Sequence, residues 1–192
     1  MDDAFGQDQY LIRRKVFTFL GAKFHVYDAA GRLVLFSKQK AFKLKEDIRI
    51  YTDESMSQER LTIKARQIID FGAAYDVVDA ASGSKIGALR RKGWSSILRD
   101  SWEFLDASDR PVGTIQEDSA VLALVRRFLT NLIPQSYHAA VQGKEIVRYH
   151  QNFNPFVFKL RVELQPGAKE ILDPRLAIAA GILLAAVEGR QG

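Results

Sequence analysis

Cysteine is absent from the 192 residues of this chain, and its absence excludes several kinds of chemistry. A chain without thiols forms no disulfide, no thiolate metal site, no cysteine nucleophile and no S-palmitoyl anchor. A secretory signal is also missing, because the first ten residues, MDDAFGQDQY, are acidic and polar rather than basic and then apolar. Asp2 at the second position excludes N-myristoylation. The sequence therefore predicts a cytoplasmic protein.

Catalytic motifs are missing as well. The sequence contains no G-x-G-x-x-G, no P-loop, no G-x-S-x-G elbow and no H-E-x-x-H. Its three histidines, His25, His138 and His150, lack metal-ligand spacing. Residues 79–90 and 106–117 each begin with an aspartate-containing turn, but neither segment has the pattern of a calcium loop. We therefore expect a protein that is not an enzyme and that holds no metal and no cofactor.

Long apolar runs are scarce, and the one that exists determines the predicted fold. Residues 176–187, LAIAAGILLAAV, contain no polar side chain. As a helix this run rises about 18 Å, whereas the hydrocarbon core of a bilayer is about 30 Å thick. Asp173 as N-cap, Pro174 at the first helical position and Gly189 after the last turn predict a helix of about fifteen residues. A helix that is apolar on every side must be surrounded, and this length favours protein over lipid.

Most of the remaining chain is predicted to form strands joined by tight turns. Residues 24–39, 75–91, 102–118 and 137–150 repeat one design, in which two β-rich arms flank a turn. In the first three, Asp28, Asp79 or Asp106 ends the incoming strand, where its side chain can accept hydrogen bonds from backbone N–H groups. Further strands are predicted at 10–19, 47–52, 60–66, 95–99 and 156–164. A meander of about a dozen strands closes into a barrel or splits into a sandwich.

A second helix is predicted at residues 118–134, DSAVLALVRRFLTNLIP, whose apolar residues share one face. We expect it to dock on the sheet rather than to lie in a membrane surface, because its polar face carries few cations. A closed meander leaves a lumen, which the run at 176–187 is best suited to fill. The predicted fold is therefore mainly β: a closed antiparallel barrel of about twelve strands around a buried apolar C-terminal helix. This barrel forms a single domain at 9–191, after a short tail at 1–8.

These features, in this order, resemble the LURP-one-related and phospholipid-scramblase-like proteins of the tubby C-terminal-like fold. The points of resemblance are the strand–Asp–Gly–strand units, IGALRRK leading into SSILRDSWEFLD, the LVRRFL segment and the closing DPRLAIAAGILLAAVEGRQ. The resemblance implies a barrel around a hydrophobic C-terminal helix, and it implies lipid binding, because tubby domains bind phosphoinositides through basic residues. The chain lacks the cysteine-rich acylation site, proline-rich arm and calcium loop of the scramblases. Calcium-driven scrambling is therefore not expected.

Basic clusters are the best candidates for a functional surface. The chain has 28 Lys and Arg against 23 Asp and Glu, a formal net charge of +5, which favours anionic partners. Consecutive charges on a strand point to opposite faces, so a patch requires neighbouring strands. A lysine-rich segment covers residues 38–45. We expect contacts to lipid headgroups from two other clusters, with an interfacial anchor beside the second: Arg13, Arg14 and Lys15; Arg90, Arg91 and Lys92; and Trp94 as the anchor.

The function predicted from the sequence is peripheral binding of anionic phospholipid at a membrane surface, without a transmembrane span. A helix that fills the lumen leaves no room for a large lipid inside the barrel. A scaffold for an unidentified protein partner is the alternative. Nucleic-acid binding is disfavoured, because the chain carries no helix-turn-helix, zinc motif or RNP signature. Trp102 is expected in the core or the barrel wall. The same location is the alternative to the interfacial role for Trp94.

Overall fold

Twelve strands make up the body of the protein. The computed structural model describes residues 3–15, 21–40, 47–66, 73–92, 101–118, 134–152 and 157–188. Within them the strands form a closed antiparallel barrel, in which each strand pairs with its neighbours in sequence and β12 pairs with β1. The mainly β barrel predicted from the sequence is confirmed. The strands are β1 (Gln9–Lys15), β2 (Gly21–Asp28), β3 (Leu33–Lys40), β4 (Ile48–Tyr51), β5 (Glu59–Ala65), β6 (Ala74–Asp79), β7 (Lys85–Arg91), β8 (Ser101–Leu105), β9 (Pro111–Glu117), β10 (Ser136–Val141), β11 (Lys144–Asn152) and β12 (Val157–Leu164).

The strands alternate between lumen and solvent, as the period of two along a strand requires. In β2, Phe24 and Val26 are buried, while Lys23 between its buried neighbours is exposed. In β12, Leu160 and Val162 are buried in the same way. The inward residues form a continuous apolar core. The same alternation determines which cations face outward.

Aspartates close the hairpin turns as predicted. In the first hairpin, Asp28 accepts a hydrogen bond from the backbone N–H of Arg32 at 2.8 Å, and Gly31 has a φ of 78°. In the third hairpin, Asp106 accepts one from the N–H of Ser108, also at 2.8 Å. Backbone N–H groups lower the pKa of Asp106 from its usual value, because they stabilise the charged carboxylate. These aspartates stabilise the turns that follow their strands.

The apolar run forms a helix inside the barrel. Asp173 caps it, because its side chain accepts a hydrogen bond from the backbone N–H of Arg175 at 2.9 Å. Helix α2 (Pro174–Glu188) follows the short helix α1 (Ala168–Ile171). The apolar side chains from 176 to 186 are at most 3% exposed. Helix α2 contacts β1, β7 and β12, and β1 and β7 lie on opposite sides of the ring. The predicted central helix is therefore confirmed.

Two contacts show how closely the helix fits the lumen. A Cβ atom added to Gly181 would lie 2.7 Å from Cδ1 of Ile12 and 3.1 Å from Cγ2 of Val162. The hydroxyl of Tyr149 donates a hydrogen bond to the carbonyl oxygen of Ala177 at 3.0 Å. Burial raises the pKa of Tyr149, so this hydroxyl keeps its proton. Because the helix occupies the lumen, ligand contacts are expected on the outer surface.

The start of the helix is fixed to the barrel wall by charge. Arg175 forms a salt bridge to Asp79, at the end of β6, with an N–O distance of 2.8 Å. The first described residues also pack on this end of the barrel: Phe5 is 4% exposed, and the guanidinium of Arg60 lies 5.9 Å from the centroid of its ring. These N-terminal residues, which the sequence assigns to a tail at 1–8, thus contribute to the core.

Several expectations fall outside the described residues. They include most of the amphipathic helix, at 119–133, the strand at 95–99, the interfacial anchor Trp94, and Gly189 after the central helix. Among the described helices, none has both the length and the apolar character needed to cross a bilayer.

Candidate headgroup-binding surface

The two predicted basic clusters lie on opposite walls of the barrel. Arg13, Arg14 and Lys15 end β1, whereas Arg90 and Arg91 end β7 and Lys92 follows directly. In the ring of twelve strands, β1 and β7 are six positions apart in either direction. The structure therefore does not join the two clusters into one patch, and each wall has to be considered by itself.

Neighbouring residues of the first cluster point in opposite directions. Arg13 is exposed on the outer face of β1, and its guanidinium lies 5.6 Å from the centroid of the Tyr27 ring. Arg14 is paired in register with buried Phe24 and points into the barrel, where its guanidinium lies 5.9 Å from the Phe24 ring. Lys15 is paired in register with Val157 at the end of the strand.

Strand pairing brings further cations beside Arg13. Lys159 of β12 is its direct partner in register. Lys23 of β2 and Lys38 of β3 are exposed and are partners of each other. We call Arg13, Lys23, Lys38 and Lys159 the basic wall. Directly opposed residues of antiparallel strands have Cβ atoms about 5 Å apart, and like charges at that distance repel. The basic wall thus contains two pairs of opposed cations on four consecutive strands.

Carboxylates are scarce around the basic wall. Within the described ranges, none of its four cations has a carboxylate oxygen within the salt-bridge distance of 4.0 Å. Two acidic side chains on neighbouring segments have other partners: Glu54 contacts His25 at 2.9 Å, and Glu163 lies 3.7 Å from Arg161. The wall ends at β4, where Arg49 is paired with Glu59 at 3.3 Å. Among the described residues, the positive charge of the basic wall is therefore not offset by a salt bridge.

Apolar and aromatic side chains lie between these cations. Leu11 and Tyr27 are partners in register on the outer face of β1 and β2, and both are partly exposed. His25 stacks on Tyr27 with 6.2 Å between ring centroids, and its ring lies 5.1 Å from that of Phe36. Tyrosines beside cations are common at membrane interfaces, where the ring lies at the depth of the headgroups.

The second cluster is partly neutralised by a single carboxylate, which leaves one net positive charge on Arg90, Lys92 and Glu103 together. Glu103 of β8 accepts hydrogen bonds from Arg90 at 2.6 Å and lies 2.9 Å from the ammonium group of Lys92. Burial favours a raised pKa for Glu103, but the hydrogen bonds and charges of Lys92 and Arg90 outweigh it and lower the pKa. Arg91 points inward, and its guanidinium lies 6.0 Å from the ring of Trp102. We call Arg90, Lys92 and Glu103 the partly neutralised wall.

Sequence reasoning missed two members of the basic wall. Lys23 and Lys159 have no adjacent cation in the sequence, so no cluster marks them. Only the pairing of β12 with β1 and of β2 with β3 places them beside Arg13 and Lys38. The sequence feature that could have found these two lysines is the alternation of apolar and polar residues along β2 and β12, which predicts that both lysines face outward. Trp94 lies outside the described residues, and Trp102, at 2% exposure, is confirmed as a core residue.

The described histidines do not form a metal centre. His138 bonds Asp118 at 2.6 Å and His150 bonds Ser136 at 2.7 Å on the outer face of β10 and β11. Across the described part of the chain, no group of three or more His, Asp or Glu residues has the arrangement needed to hold a metal ion. These pairs are consistent with hydrogen bonds between strands at the surface.

Comparison with known proteins supports the fold. Searches of curated proteins and of solved structures returned no significant match. A family model described as LURP-one-related matches residues 33–185, which covers β3 to β12 and most of the central helix. This match includes well over half of the chain, and it agrees with the barrel and its internal helix. The chain therefore belongs to the LURP-one-related family.

Proposed function

We propose that this protein is a non-enzymatic cytoplasmic module that binds anionic phospholipid headgroups at a membrane surface. The observation that supports the proposal is the basic wall, which presents four outward cations without carboxylate partners among the described residues. The central helix fills the lumen, so the lipid is bound on the outside of the barrel and is not carried within it.

The basic wall has no role in protecting a sheet edge. Lysines on outer strands often prevent edge-to-edge pairing, but a closed barrel has no edge to protect. Opposed cations also destabilise the pairing of their strands. An anionic membrane would relieve this repulsion, since each Lys or Arg near such a surface contributes about 1 kcal/mol. Binding therefore gives these cations a role that folding alone does not.

The sequence-predicted contacts enter the proposal with unequal weight. Arg13 is the central contact because it faces outward within the basic wall. Arg14, Lys15 and Trp94 remain predicted contacts. Arg90, Arg91 and Lys92 also remain predicted contacts, but we expect less from them because Glu103 offsets the charges of Arg90 and Lys92.

Vesicle flotation tests the proposal. The protein is mixed with phosphatidylcholine vesicles, with and without phosphatidylglycerol, at low salt and at about 0.5 M salt, where surface charges are screened. We expect flotation only with the anionic vesicles and only at low salt. Replacing the basic wall by alanine (R13A, K23A, K38A and K159A together) should weaken binding more than about 100-fold, from about 1 kcal/mol for each cation.

Controls separate lipid binding from the alternatives. The variant R90A with K92A should float nearly as well as the wild type if the basic wall is the membrane contact, because β7 lies on the opposite side of the barrel from β1. The same preparation is tested for a salt-dependent shift of duplex DNA. No flotation with anionic vesicles would reject the proposal, and a DNA shift without flotation would support a nucleic-acid partner instead. Absence of both would leave the protein scaffold as the better explanation.

A further inference from the structure

We propose that His25 and Glu54 form a pH-dependent control of the basic wall, so that binding to an anionic membrane strengthens as the pH falls below neutrality. The proposal rests on the proposed function, because it describes how the charge of that same surface is set. The observation that motivates it is the contact between Nε2 of His25 and Oε1 of Glu54, at 2.9 Å.

His25 lies between the cations of the basic wall and is not one of them. It is on the outer face of β2, two residues from Lys23, and is the register partner of Arg13 on β1 and of Phe36 on β3. On its own strand it stacks on Tyr27. Counting along the β2–β3 register places Lys38 diagonally across from it. The charged groups that face this imidazole are thus the cations Arg13, Lys23 and Lys38 and the carboxylate of Glu54.

Glu54 supplies the negative charge of the pair. It lies in the turn after β4 (Ile48–Tyr51), and its side chain is 57% exposed, whereas that of His25 is 14% exposed. The turn is organised by Asp53, which accepts a hydrogen bond from the N–H of Ser55 at 2.8 Å. The carboxylate therefore lies over the wall on a structured turn and repels an anionic surface.

Protonation of His25 changes the balance of charge. With a neutral imidazole the pair carries one negative charge, and with an imidazolium it carries none. Histidine is the side chain best suited to a change of charge near neutral pH, and protonation of this imidazole adds one positive charge beside the wall. At about 1 kcal/mol for each charge near an anionic surface, this is roughly a fivefold change in affinity. The sign is fixed: affinity rises as the pH falls.

His138 provides a matched control. It lies on β10, two strands away from Lys159 of β12, and it contacts Asp118 at 2.6 Å. His150 does not serve as a control, because its register partner on β12 is Arg161, which places it diagonally across from Lys159 of the basic wall. Replacing His138 should therefore alter the pH dependence of membrane affinity far less than replacing His25.

The test is a series of affinities for vesicles of phosphatidylcholine with phosphatidylglycerol, measured between about pH 5.5 and pH 8. The phosphodiester of phosphatidylglycerol stays charged over this range, so the vesicles do not change. We expect the wild-type affinity to rise roughly fivefold on acidification. His25→Gln should remove most of the rise, and H138Q should retain it. Glu54→Gln should increase the affinity at pH 8 by a similar roughly fivefold factor, because it removes the opposing charge.

The outcomes distinguish this inference from the proposed function. Binding that does not change with pH, or that keeps its pH dependence in His25→Gln, overturns the control but leaves headgroup binding intact. Absence of binding at every pH overturns both. Thermal melting of each variant at pH 8 verifies that the fold is retained, and Glu54→Gln provides a test even if replacement of the half-buried His25 lowers stability.

Discussion

The β1 and β7 walls are alike on the inside and different on the outside. Inside, both pack on the central helix, β1 through Ile12 against Gly181 and β7 through Gly87 against Leu176. Outside, the cations beside β1 face other cations, whereas those of β7 share Glu103. Packing against the helix is a requirement of the fold on both walls. Of these two walls, only the one at β1 presents outward cations that lack a carboxylate partner among the described residues, and the proposed membrane partner would account for them.

The difference depends on a single carboxylate rather than on the number of cations. The sequence shows two equally basic clusters, and the second has an indole close by in Trp94. Glu103, eleven positions after Lys92, removes the apparent advantage of the second cluster once β8 pairs with β7. A basic cluster is therefore informative only when the carboxylates on neighbouring strands are known.

Charge reversal of the basic wall should have the largest effect. R13E, K23E and K38E together replace three positive by three negative charges, and we expect vesicle binding to fall below detection. The melting temperature should stay near that of the wild type, because the three side chains are exposed or face solvent. Flotation and thermal melting provide the two measurements. Retained binding by a folded variant would contradict the assignment of this wall.

Adding a side chain at either glycine between the central helix and the barrel wall should destabilise the fold. A Cβ at Gly87 would clash with the carbonyl oxygen of Leu105 and would touch Leu176, and one at Gly181 would press on Ile12. We expect Gly87→Val and Gly181→Val each to lower the free energy of unfolding by about 1 to 3 kcal/mol, as overpacked cores do. Gly87→Val should be the worse, because backbone yields less than a side chain. Denaturant unfolding measures both, and an unchanged midpoint in either would show loose packing of the helix.

Removing the cations of the partly neutralised wall should lower the stability of the fold more than it lowers vesicle binding. In R90A with K92A, half-buried Glu103 loses both partners, and we expect a loss of roughly 0.5 to 1 kcal/mol with vesicle affinity reduced by less than about threefold. The pH dependence is defined by the lowered pKa of Glu103. Its stabilisation is present above the unfolded pKa and disappears as the pH falls through the lower folded value. Wild type and variant should therefore converge in acid, and a constant difference would argue against this salt bridge.

Relieving one pair of opposed cations should have the smallest effect. Lys38→Thr removes the repulsion with Lys23, and we expect the protein to gain about 0.2 to 0.5 kcal/mol at low salt. The control is Arg49→Thr, because exposed Arg49 of β4 forms a salt bridge to Glu59 at 3.3 Å. That change should lower stability slightly. Both effects should shrink in about 0.5 M salt, and equal signs for the two variants would contradict the contrast in charge.

The fold was more accessible from the sequence than the surface was. The capped apolar run at 176–187 predicts a helix, and the aspartate-closed turns predict hairpins, because capping and turn chemistry act within a few residues. The surface depends on register between strands that are distant in the sequence. Arg13 and Lys159 are 146 positions apart, and no local pattern shows that they are partners or that Glu103 faces Arg90.

The side of the barrel that meets the membrane can be measured directly. The chain has no cysteine, so single cysteines can be introduced at Leu11, on the outer face of β1, and at Ser101, on the outer face of β8, and labelled with an environment-sensitive fluorophore. On addition of anionic vesicles, the account predicts a blue shift and increased emission at position 11 and no change at position 101. A response at position 101 that equals or exceeds the response at position 11 would contradict it.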